Sequence, residues 1–377
     1  MAIGKTGIVL DACFMDHKTA LGCPECPARL QGLFPVVLES SLRDHLILIP
    51  STPVTVSELR RVHSAHYLDK IKSTEGARCI MLDEDTCASA DSYRTAMIAA
   101  GGVCRAVDAV CDGTVHNAFA LVRPPGHHAE RNASMGFCLY NNIAVAARHA
   151  QKIRGLDRVL IVDWDLHHGN GTQHCFEDDP TVLFFSTHLK WTFPGSGGFS
   201  EKGKAVGVGF SVNVPLQRGF GDAEYIAVYE KLLVPIASAF RPSIILVSAG
   251  FDIHRDDPMG AMNLTEDGFA GLAGIMLRTA AETCGGKLVM VLEGGYNPSA
   301  LEKSVREVLR ELTGLRRTDT QRLFQSANTA RVNDVLRRVI KAHGQNWPEL
   351  LRSMPPPATT GGRFTSALLN CWNFIRG

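Results

Sequence analysis

Short runs of apolar residues recur along the chain, and most are separated by longer stretches in which apolar residues repeat at helical spacing. The runs predicted as strands are residues 7–11, 46–49, 118–122, 159–165, 182–187, 208–215, 243–250 and 288–294. The stretches predicted as helices are residues 91–110, 141–153, 222–239 and 265–283. Strands that alternate with helices predict an α/β fold in which one parallel sheet lies between helices.

Residues 5–315 contain no linker rich in glycine, serine or proline, so we expect them to form one domain. Beyond this point, a basic segment at 329–342 predicts a further helix, and M-P-P-P-A-T-T-G-G follows it. We therefore predict a main domain at 1–315 and, at 316–377, a helical extension and tail that pack on the same domain. The side chains expected to make that contact are Trp347, Leu350 and Trp372.

The most informative stretch is 159–171, which reads V-L-I-V-D-W-D-L-H-H-G-N-G. Its apolar start predicts a buried parallel strand, and the G-N-G at 169–171 predicts a loop. Asp165 and His167 lie two residues apart, so an extended backbone points both side chains the same way. A carboxylate and an imidazole at the carboxyl end of a strand form half of a divalent metal site. The alternative is an ordinary polar strand end, but burying several ionisable groups without a cation is costly.

Other polar clusters follow other predicted strands, and the carboxyl ends of parallel strands meet at one edge of a sheet. R-P-P-G-H-H places His127 and His128 after two prolines, and tandem histidines at a strand end are more often functional than incidental. Asp252 would give the metal half-site a third ligand and leave an open position, as a catalytic zinc requires. Taken alone, Asp252 is also compatible with a helix cap. Tyr296, after E-G-G, is by itself weak evidence for a site.

Composition and charge exclude several classes of partner. Hydrophobic residues make up 45% of the chain and charged residues 20%, and 39 basic against 38 acidic side chains leave a net charge of +1. This balance predicts no binding to nucleic acid or to an anionic membrane, and no apolar run reaches the length of a membrane span. An odd number of cysteines, 11, favours reduced thiols and a cytoplasmic location. Cys23 and Cys26 form the only close pair, and we expect loop cysteines there rather than a structural or redox site.

Seven motifs occur in one order along residues 5–315: R-P-P-G-H-H, G-F-C-L-Y-N-N, D-W-D-L-H-H-G-N-G, S-T-H, S-A-G-F-D, D-P-M-G and L-E-G-G-Y-N. In these motifs and their order the chain resembles zinc-dependent histone deacetylases. The wider group includes acetylpolyamine amidohydrolases and bacterial acetoin-utilisation-type proteins. The resemblance implies the arginase/deacetylase fold, a three-layer α/β architecture with an eight-stranded parallel sheet between helices. It also implies that residues 1–315 are the deacetylase catalytic domain.

The resemblance implies a role for each residue that matches a motif. The residues that match the ligands of a single zinc ion are Asp165, His167 and Asp252. The residues that match the catalytic group are His127, His128, Tyr296, Asp163 and Asn170. Among these, His128 is expected to act as general base and then general acid. Tyr296 is expected to hydrogen-bond the oxyanion.

The same resemblance implies a substrate channel and two sites for a structural K⁺ or Na⁺. The residues expected to line the channel are Gly136, Phe137, Phe193, Met259 and Gly294. The residues expected at an inner cation site are Asp163, Asp165, His167, Ser186 and Thr187. The residues expected at an outer cation site, through backbone carbonyls, are Phe176, Asp179, Val182 and Phe210.

The chain departs from the family pattern at positions that bear on mechanism and substrate. Asn170 stands where a carboxylate would stabilise a protonated His128, so His128 is expected to stay neutral, as in class II deacetylases. Met259 is apolar where polyamine-selective members carry an acidic residue, which favours acyl-lysine peptides. C-P-E-C-P-A-R-L at 23–30 nevertheless resembles the constricting segment of a polyamine-selective relative, and equally the H-P-E-R-P-x-R-L of bacterial members. At the rim, either Asp85 or Asp91 is a candidate to bind a substrate backbone.

The leading functional expectation is a zinc-dependent amidohydrolase that removes acetyl or other acyl groups from lysine side chains of proteins or peptides. The second is the same machinery acting on acetylated polyamines or another small amide. A third, of a different class, is a catalytically weak acyl-lysine binder, which Tyr296 argues against. A manganese ureohydrolase would need further ligands around a second metal. The expected partner is thus an acetylated lysine peptide, an acetylated protein or an acetylated polyamine, and the oligomeric state is left open.

Overall fold

The structure is a computed structural model, and it describes residues 5–356. Its strands are β1 Thr6–Val9, β2 Leu46–Leu48, β3 Ile80–Met81, β4 Cys87–Ala88, β5 Asn117–Ala120, β6 Val159–Asp163, β7 Val182–Leu189, β8 Ser211–Leu216, β9 Ile244–Ala249 and β10 Leu288–Leu292. Its α-helices are α1 Ala28–Gln31, α2 Leu33–Leu38, α3 Val56–Leu59, α4 Ala65–Lys72, α5 Ser92–Cys111, α6 Asn142–Lys152, α7 Asn170–Phe176, α8 Asp222–Val228, α9 Val234–Phe240, α10 Glu266–Cys284, α11 Pro298–Leu312, α12 Thr320–Gln325 and α13 Thr329–His343.

Eight strands form one sheet in the order β2-β1-β5-β10-β9-β6-β7-β8, and every neighbouring pair is parallel. The central strands are buried along their whole length, which explains why they read as continuous apolar runs. Helices α5 and α6 pack on each other and on the sheet, while α8, α9, α10 and α11 form a second packed group. The predicted three-layer α/β fold with an eight-stranded parallel sheet between helices is confirmed.

Each of the eight predicted strands overlaps one strand of this sheet, but the prediction of a loop at 169–171 is wrong. The stretch 169–171 was expected to be a loop, yet α7 begins at Asn170. The glycines serve close packing there, because a Cβ at Gly171 would lie 2.2 Å from the carbonyl oxygen of Ala129. The predicted helix 222–239 is confirmed as a continuous helical stretch that includes a π-helical turn at Tyr229–Leu233. Pro235, which follows that turn in α9, lacks the N–H that would bond to the carbonyl of Lys231.

The segment after residue 315 packs on the sheet domain as far as the structure describes it. Helix α13 contacts β8, and the Trp347 indole N–H donates to the carbonyl of Gly209 at 2.9 Å. Leu350 is fully buried. The predicted contact through Trp372 lies outside the described residues. Among residues 5–356, no helix combines the length and the apolar character that crossing a membrane requires.

Candidate active site

Two carboxylates and an imidazole converge at the carboxyl ends of the adjacent strands β6 and β9. One ligand atom from each of Asp165, His167 and Asp252 lies within 4.8 Å of the others, and all three residues are buried. His167 Nδ1 lies 3.3 Å from Asp165 Oδ1 and 3.3 Å from Asp252 Oδ2. Among the described residues, Asp252 Oδ2 is buried without a hydrogen-bond partner. Burial and the charge of Asp165 raise the pKa of Asp252 to about 7. A cation would relieve this crowding, so the donor set fits a divalent metal with nitrogen and oxygen ligands.

The chain holds both carboxylates of this cluster by backbone donors. The Leu166 N–H donates to Asp252 Oδ1 at 2.9 Å, and the Gly294 N–H donates to Asp165 Oδ2 at 2.8 Å. Gly294 is required at this position, because a Cβ there would lie 2.4 Å from Asp252 Oδ2. Its place in the predicted channel is therefore at the floor, against the metal cluster.

The tandem histidines sit beside the cluster and have different partners. His127 Nδ1 lies 3.0 Å from Asp163 Oδ2, and His128 Nδ1 lies 2.7 Å from Asn170 Oδ1. Burial alone would lower the pKa of His127, but the charges of Asp163 and Asp165 outweigh it and raise that pKa to about 10. Burial, with repulsion from His127 and His167, lowers the pKa of His128 well below its usual value. The surroundings of the first histidine therefore favour its protonated form, and those of the second favour its neutral form.

Tyr296 follows β10 and lies across the site from the histidine loop. Its ring centroid is 5.9 Å from that of Phe137, and its N–H donates to Asp257 Oδ2 at 2.6 Å. Burial and the nearby Asp252 raise the pKa of the phenol well above its usual value. The hydroxyl therefore keeps its proton at neutral pH and can donate a hydrogen bond.

The loop that carries Tyr296 is held by buried charged residues that the sequence reasoning missed. Arg29 donates to the carbonyls of Glu293 and Gly295 at 2.5 and 2.6 Å, and its guanidinium lies 5.0 Å from the Tyr296 ring centroid. Arg29 also pairs with Glu25 at 3.1 Å. The only local signal was the Glu25–Arg29 spacing of four residues, since the loop partners lie more than 260 positions away along the chain.

The Glu293 carboxylate, which the sequence analysis did not single out, holds the loop that carries His127 and His128. It accepts from the N–H groups of Gly126 and His127 at 2.7 and 3.2 Å and from the Ser248 hydroxyl at 3.0 Å. Burial raises the pKa of this carboxyl to about 7. One buried side chain therefore joins the strand ends of β5, β9 and β10.

Aromatic side chains stand above the histidines, as expected for a channel. The Phe193 ring lies edge-on to His128 and His167, with centroids 5.1 and 6.0 Å away, and 40% of the residue is exposed. Gly136 has φ of +55°, and a Cβ there would lie 2.3 Å from the His128 ring, so no larger residue fits. Phe137 follows it and faces Tyr296.

Three features singled out in the sequence for substrate choice are Met259, Asp85 and the segment 23–30. Met259 is 40% exposed, and its N–H donates to Asp257 Oδ1 at 2.9 Å. Asp85 Oδ1 accepts from the Gly136 N–H at 3.0 Å, whereas Asp91 is an exposed residue that precedes α5. A substrate-binding role for either aspartate stays a prediction. In segment 23–30, Cys23 and Cys26 are free thiols, and the intervening Glu25 is fully buried.

Several of the residues predicted to bind a monovalent cation lie close together, in two groups. Asp163 pairs in register with Ser186 on β7, and its carbonyl lies 3.5 Å from the Thr187 hydroxyl. The outer group surrounds the turn between α7 and β7. There the carbonyls of Phe176, Asp179 and Phe210 accept from the N–H groups of Asp179, Val182 and Phe184. An arginine, Arg148, already lies 2.6 Å from Asp179 Oδ2 beside this turn.

Comparison with known proteins places this geometry in a family. The histone deacetylase domain family matches residues 23–312. Histone deacetylase 14, chloroplastic, from Arabidopsis thaliana is 39% identical over 308 residues, which are 77% of this chain and 73% of that protein. Polyamine deacetylase HDAC10 from Mus musculus is 39% identical over 307 residues, which are 77% of this chain and 45% of that protein.

A solved structure shows the same fold. The crystal structure of the HDA15 HD domain superposes with a TM-score of 0.84 at 36% sequence identity. The superposition covers 92% of this chain and 98% of that domain. The chain belongs to the histone deacetylase family.

Proposed function

We propose that the protein is a zinc-dependent amidohydrolase that removes acetyl or other acyl groups from lysine side chains of proteins or peptides. One observation carries the proposal: a buried cluster of Asp165, His167 and Asp252 lies beside two adjacent histidines, of which the first is bonded to a carboxylate and the second to an amide. Family membership supports deacetylation as the reaction. The tyrosine donor at the same site argues against a silent acyl-lysine binder.

The residues present divide the work of amide hydrolysis. Zinc held by Asp165, His167 and Asp252 would polarise the acyl carbonyl and lower the pKa of the attacking water. Neutral His128 takes the proton of that water through Nε2, while Nδ1 stays bonded to Asn170. The same proton then passes to the lysine nitrogen as the C–N bond breaks, which releases acetate and the free amine. His127, whose Nδ1 is bonded to Asp163, and the Tyr296 hydroxyl are the donors that would stabilise negative charge on the carbonyl oxygen.

The proposed substrate is an acyl-lysine peptide or protein rather than an acetylated polyamine. Phenylalanines above the histidines suit the aliphatic stem of lysine and exclude bulk water. Met259 offers no carboxylate to a distal amine, and Glu25 is neutralised by Arg123 at 2.5 Å and cannot serve as one. Acetylated polyamines remain the second candidate, because a relative at 39% identity is named a polyamine deacetylase.

The proposal also covers the structural ions, the cellular compartment and the division of the chain into a catalytic domain and an extension. The two groups of carbonyls and hydroxyls at β6–β7 and the α7–β7 turn suit K⁺ or Na⁺ as structural ions. Free cysteines throughout the described residues are consistent with a reducing cytoplasm. We assign catalysis to the domain of residues 1–315 and propose that the extension which follows it packs on this domain through residues 316–356.

A substrate panel tests the proposal. The zinc-loaded full-length protein is assayed with acetyl-lysine peptides, longer acyl-lysine peptides and acetylated polyamines, and kcat/KM is compared. We expect acetyl-lysine peptides to give the highest values. Asp252→Ala, which removes a metal ligand, is the control for hydrolysis by contaminants. Much faster turnover of acetylpolyamines would replace the proposed substrate with the second candidate, and hydrolysis that survives Asp252→Ala would refute the metal-dependent mechanism.

A further inference from the structure

The side-chain amide of Asn170 has one orientation that its surroundings allow. Asn170 is 3% exposed, and its Nδ2 lies 2.6 Å from Glu130 Oε1, 3.4 Å from Met135 Sδ and 3.5 Å from the carbonyl oxygen of His128. Within the described residues every one of these Nδ2 contacts is with an acceptor. A carboxylate at 2.6 Å requires a donor, so the amide nitrogen must face Glu130 and the amide oxygen must face His128.

This orientation decides which nitrogen of His128 carries the proton. Asn170 Oδ1 accepts only, and it lies 2.7 Å from His128 Nδ1, so Nδ1 must be the protonated nitrogen of the neutral ring. The lone pair is then on Nε2, the atom that a general base needs. If the amide turned over, Nδ2 would face Nδ1 and the ring would carry its proton on Nε2. Such a ring cannot take a proton from water.

Glu130 is the third member of a series of hydrogen-bonded side chains that runs from His128 through Asn170 towards the surface, and it is held in place by two further histidines. Its carboxylate accepts from His174 Nδ1 at 2.8 Å, and its backbone carbonyl accepts from His63 Nδ1 at 2.9 Å. The Glu130 side chain is 23% exposed, and that of His174 is 43% exposed. The hydrogen bond to Glu130 raises the pKa of His174, which favours the cationic partner of the carboxylate.

We propose that Glu130 is a positioning residue that fixes the amide of Asn170 and, through it, the tautomer of His128. Its carboxylate bonds to Asn170 and His174, neither of which belongs to the clustered metal ligands. Its effect on rate rests on the proposed function, whereas its effect on the tautomer does not. Asn170 therefore always presents its amide oxygen to His128, because Glu130 accepts from its amide nitrogen.

The first test reads the tautomer directly. Zinc-loaded protein with ¹⁵N-labelled histidine rings is examined by NMR, and the His128 signals are assigned by their loss in His128→Gln. We expect the wild-type ring to be protonated on Nδ1. In Glu130→Gln the new amide donates as well as accepts, so Asn170 can turn and the Nε2-protonated form should appear. An unchanged Nδ1-protonated ring in Glu130→Gln would overturn the proposal, whether or not the protein hydrolyses acetyl-lysine.

Glu230→Gln is the matched control for the first test, because Glu230 is 25% exposed, pairs with Arg278 at 2.6 Å and lies on the π-helical turn. In steady-state assays Glu130→Gln should lower kcat by about ten-fold with KM and zinc content unchanged, since only the reactive tautomer is depleted. Glu230→Gln should leave kcat within two-fold. An equal loss in both variants would identify a general effect on stability and refute the positioning role.

The second test reverses the sign of the effect. Asn170→Asp places a carboxylate against Glu130, so repulsion should lower activity, and Glu130→Gln should then restore it by donating to the new aspartate. Glu130→Gln is therefore expected to be harmful with Asn170 and beneficial with aspartate at that position. If it changes kcat in the same direction in both backgrounds, Glu130 does not act through residue 170. Failure of the wild-type protein to hydrolyse any acyl-lysine peptide would refute the proposed function instead, and the NMR result would still decide the present inference.

Discussion

At the residue scale, adjacent histidines of identical chemistry acquire different roles from their partners. His127 faces the carboxylate of Asp163, and its surroundings favour the protonated form, while His128 faces the amide of Asn170, and its surroundings favour the neutral form. The sequence indicated both partners through the D-W-D-L-H-H-G-N-G motif. It gave no signal for Glu130, because a glutamate forty positions away acquires meaning only when folding brings it 2.6 Å from the Asn170 amide.

The Tyr296 hydroxyl is expected to act on the developing oxyanion and on little else. Tyr296→Phe should lower kcat by about 10²-fold or more. The zinc content should stay at the wild-type level, because the phenol is not among the clustered ligands. Steady-state kinetics and metal analysis of the same preparation measure both. Tyr140→Phe, which removes another buried hydroxyl, is the control and should retain activity. A matching fall in zinc content in Tyr296→Phe would show that the tyrosine is structural.

Met259 is expected to set the preference for lysine peptides over polyamines. Met259→Glu adds a carboxylate at the rim, which should raise kcat/KM for acetylpolyamines relative to acetyl-lysine peptides. Because Met259 is 40% exposed, water screens the new contact, and we expect a shift of up to about ten-fold rather than more. Met259→Gln separates charge from shape and should leave the ratio unchanged. An equal shift in both variants would contradict a charge-based preference.

At the element scale, the strands of the large sheet could be predicted from the sequence, whereas the small β3–β4 hairpin and the long-range contacts of Arg29 could not. Strands β6, β9 and β10 are buried apolar runs ending in polar clusters, so both their existence and the convergence of Asp165 and Asp252 followed from the sequence. The hairpin of β3 and β4 was missed because its strands are two residues each. Arg29 was missed because its contacts are made at long range, and no periodicity encodes them.

Glu25, which lies just before α1, ties the segment 23–30 to the active site through its ion pairs with Arg123 and Arg29. Burial would raise the pKa of Glu25, but Arg123 and Arg29 outweigh it and hold that pKa at about 2, against 4.5 for an ordinary glutamate. A carboxyl with a depressed pKa stabilises the folded state fully above pH 4.5 and loses that contribution as the pH falls towards 2.

Glu25→Gln should therefore destabilise the protein by about 3 kcal/mol at neutral pH, since it leaves buried guanidinium groups without a counter-charge. The difference in unfolding free energy between wild type and variant should shrink between pH 4.5 and 2, which urea titrations at a series of pH values measure. Glu302→Gln, in a half-buried pair with Arg306, is the control, and its destabilisation should be much smaller. A gap that stays constant across this pH range would contradict the buried ion pair.

At the scale of the whole molecule, the segment after residue 315 is expected to be part of the folded unit. Trp347 is 8% exposed and packs edge-on against Phe210 and Phe240, with ring centroids 5.7 and 6.4 Å away. Trp347→Ala should cost about 3–5 kcal/mol of stability, as removal of a buried tryptophan does. Leu351→Ala is the neighbouring control, because Leu351 is 47% exposed and should change stability little. Denaturant unfolding that gives the same midpoint for both variants would show that the segment is only loosely attached.

The proposed reaction requires one metal-dependent hydrolytic site per chain. The most direct measurement is titration of zinc into metal-free protein while acetate release from an acetyl-lysine peptide is followed. Activity is predicted to be absent without metal, to rise linearly with added zinc and to reach its plateau at one equivalent per chain. Full activity in the metal-free protein, or a plateau that requires two equivalents, would contradict the single site built from Asp165, His167 and Asp252.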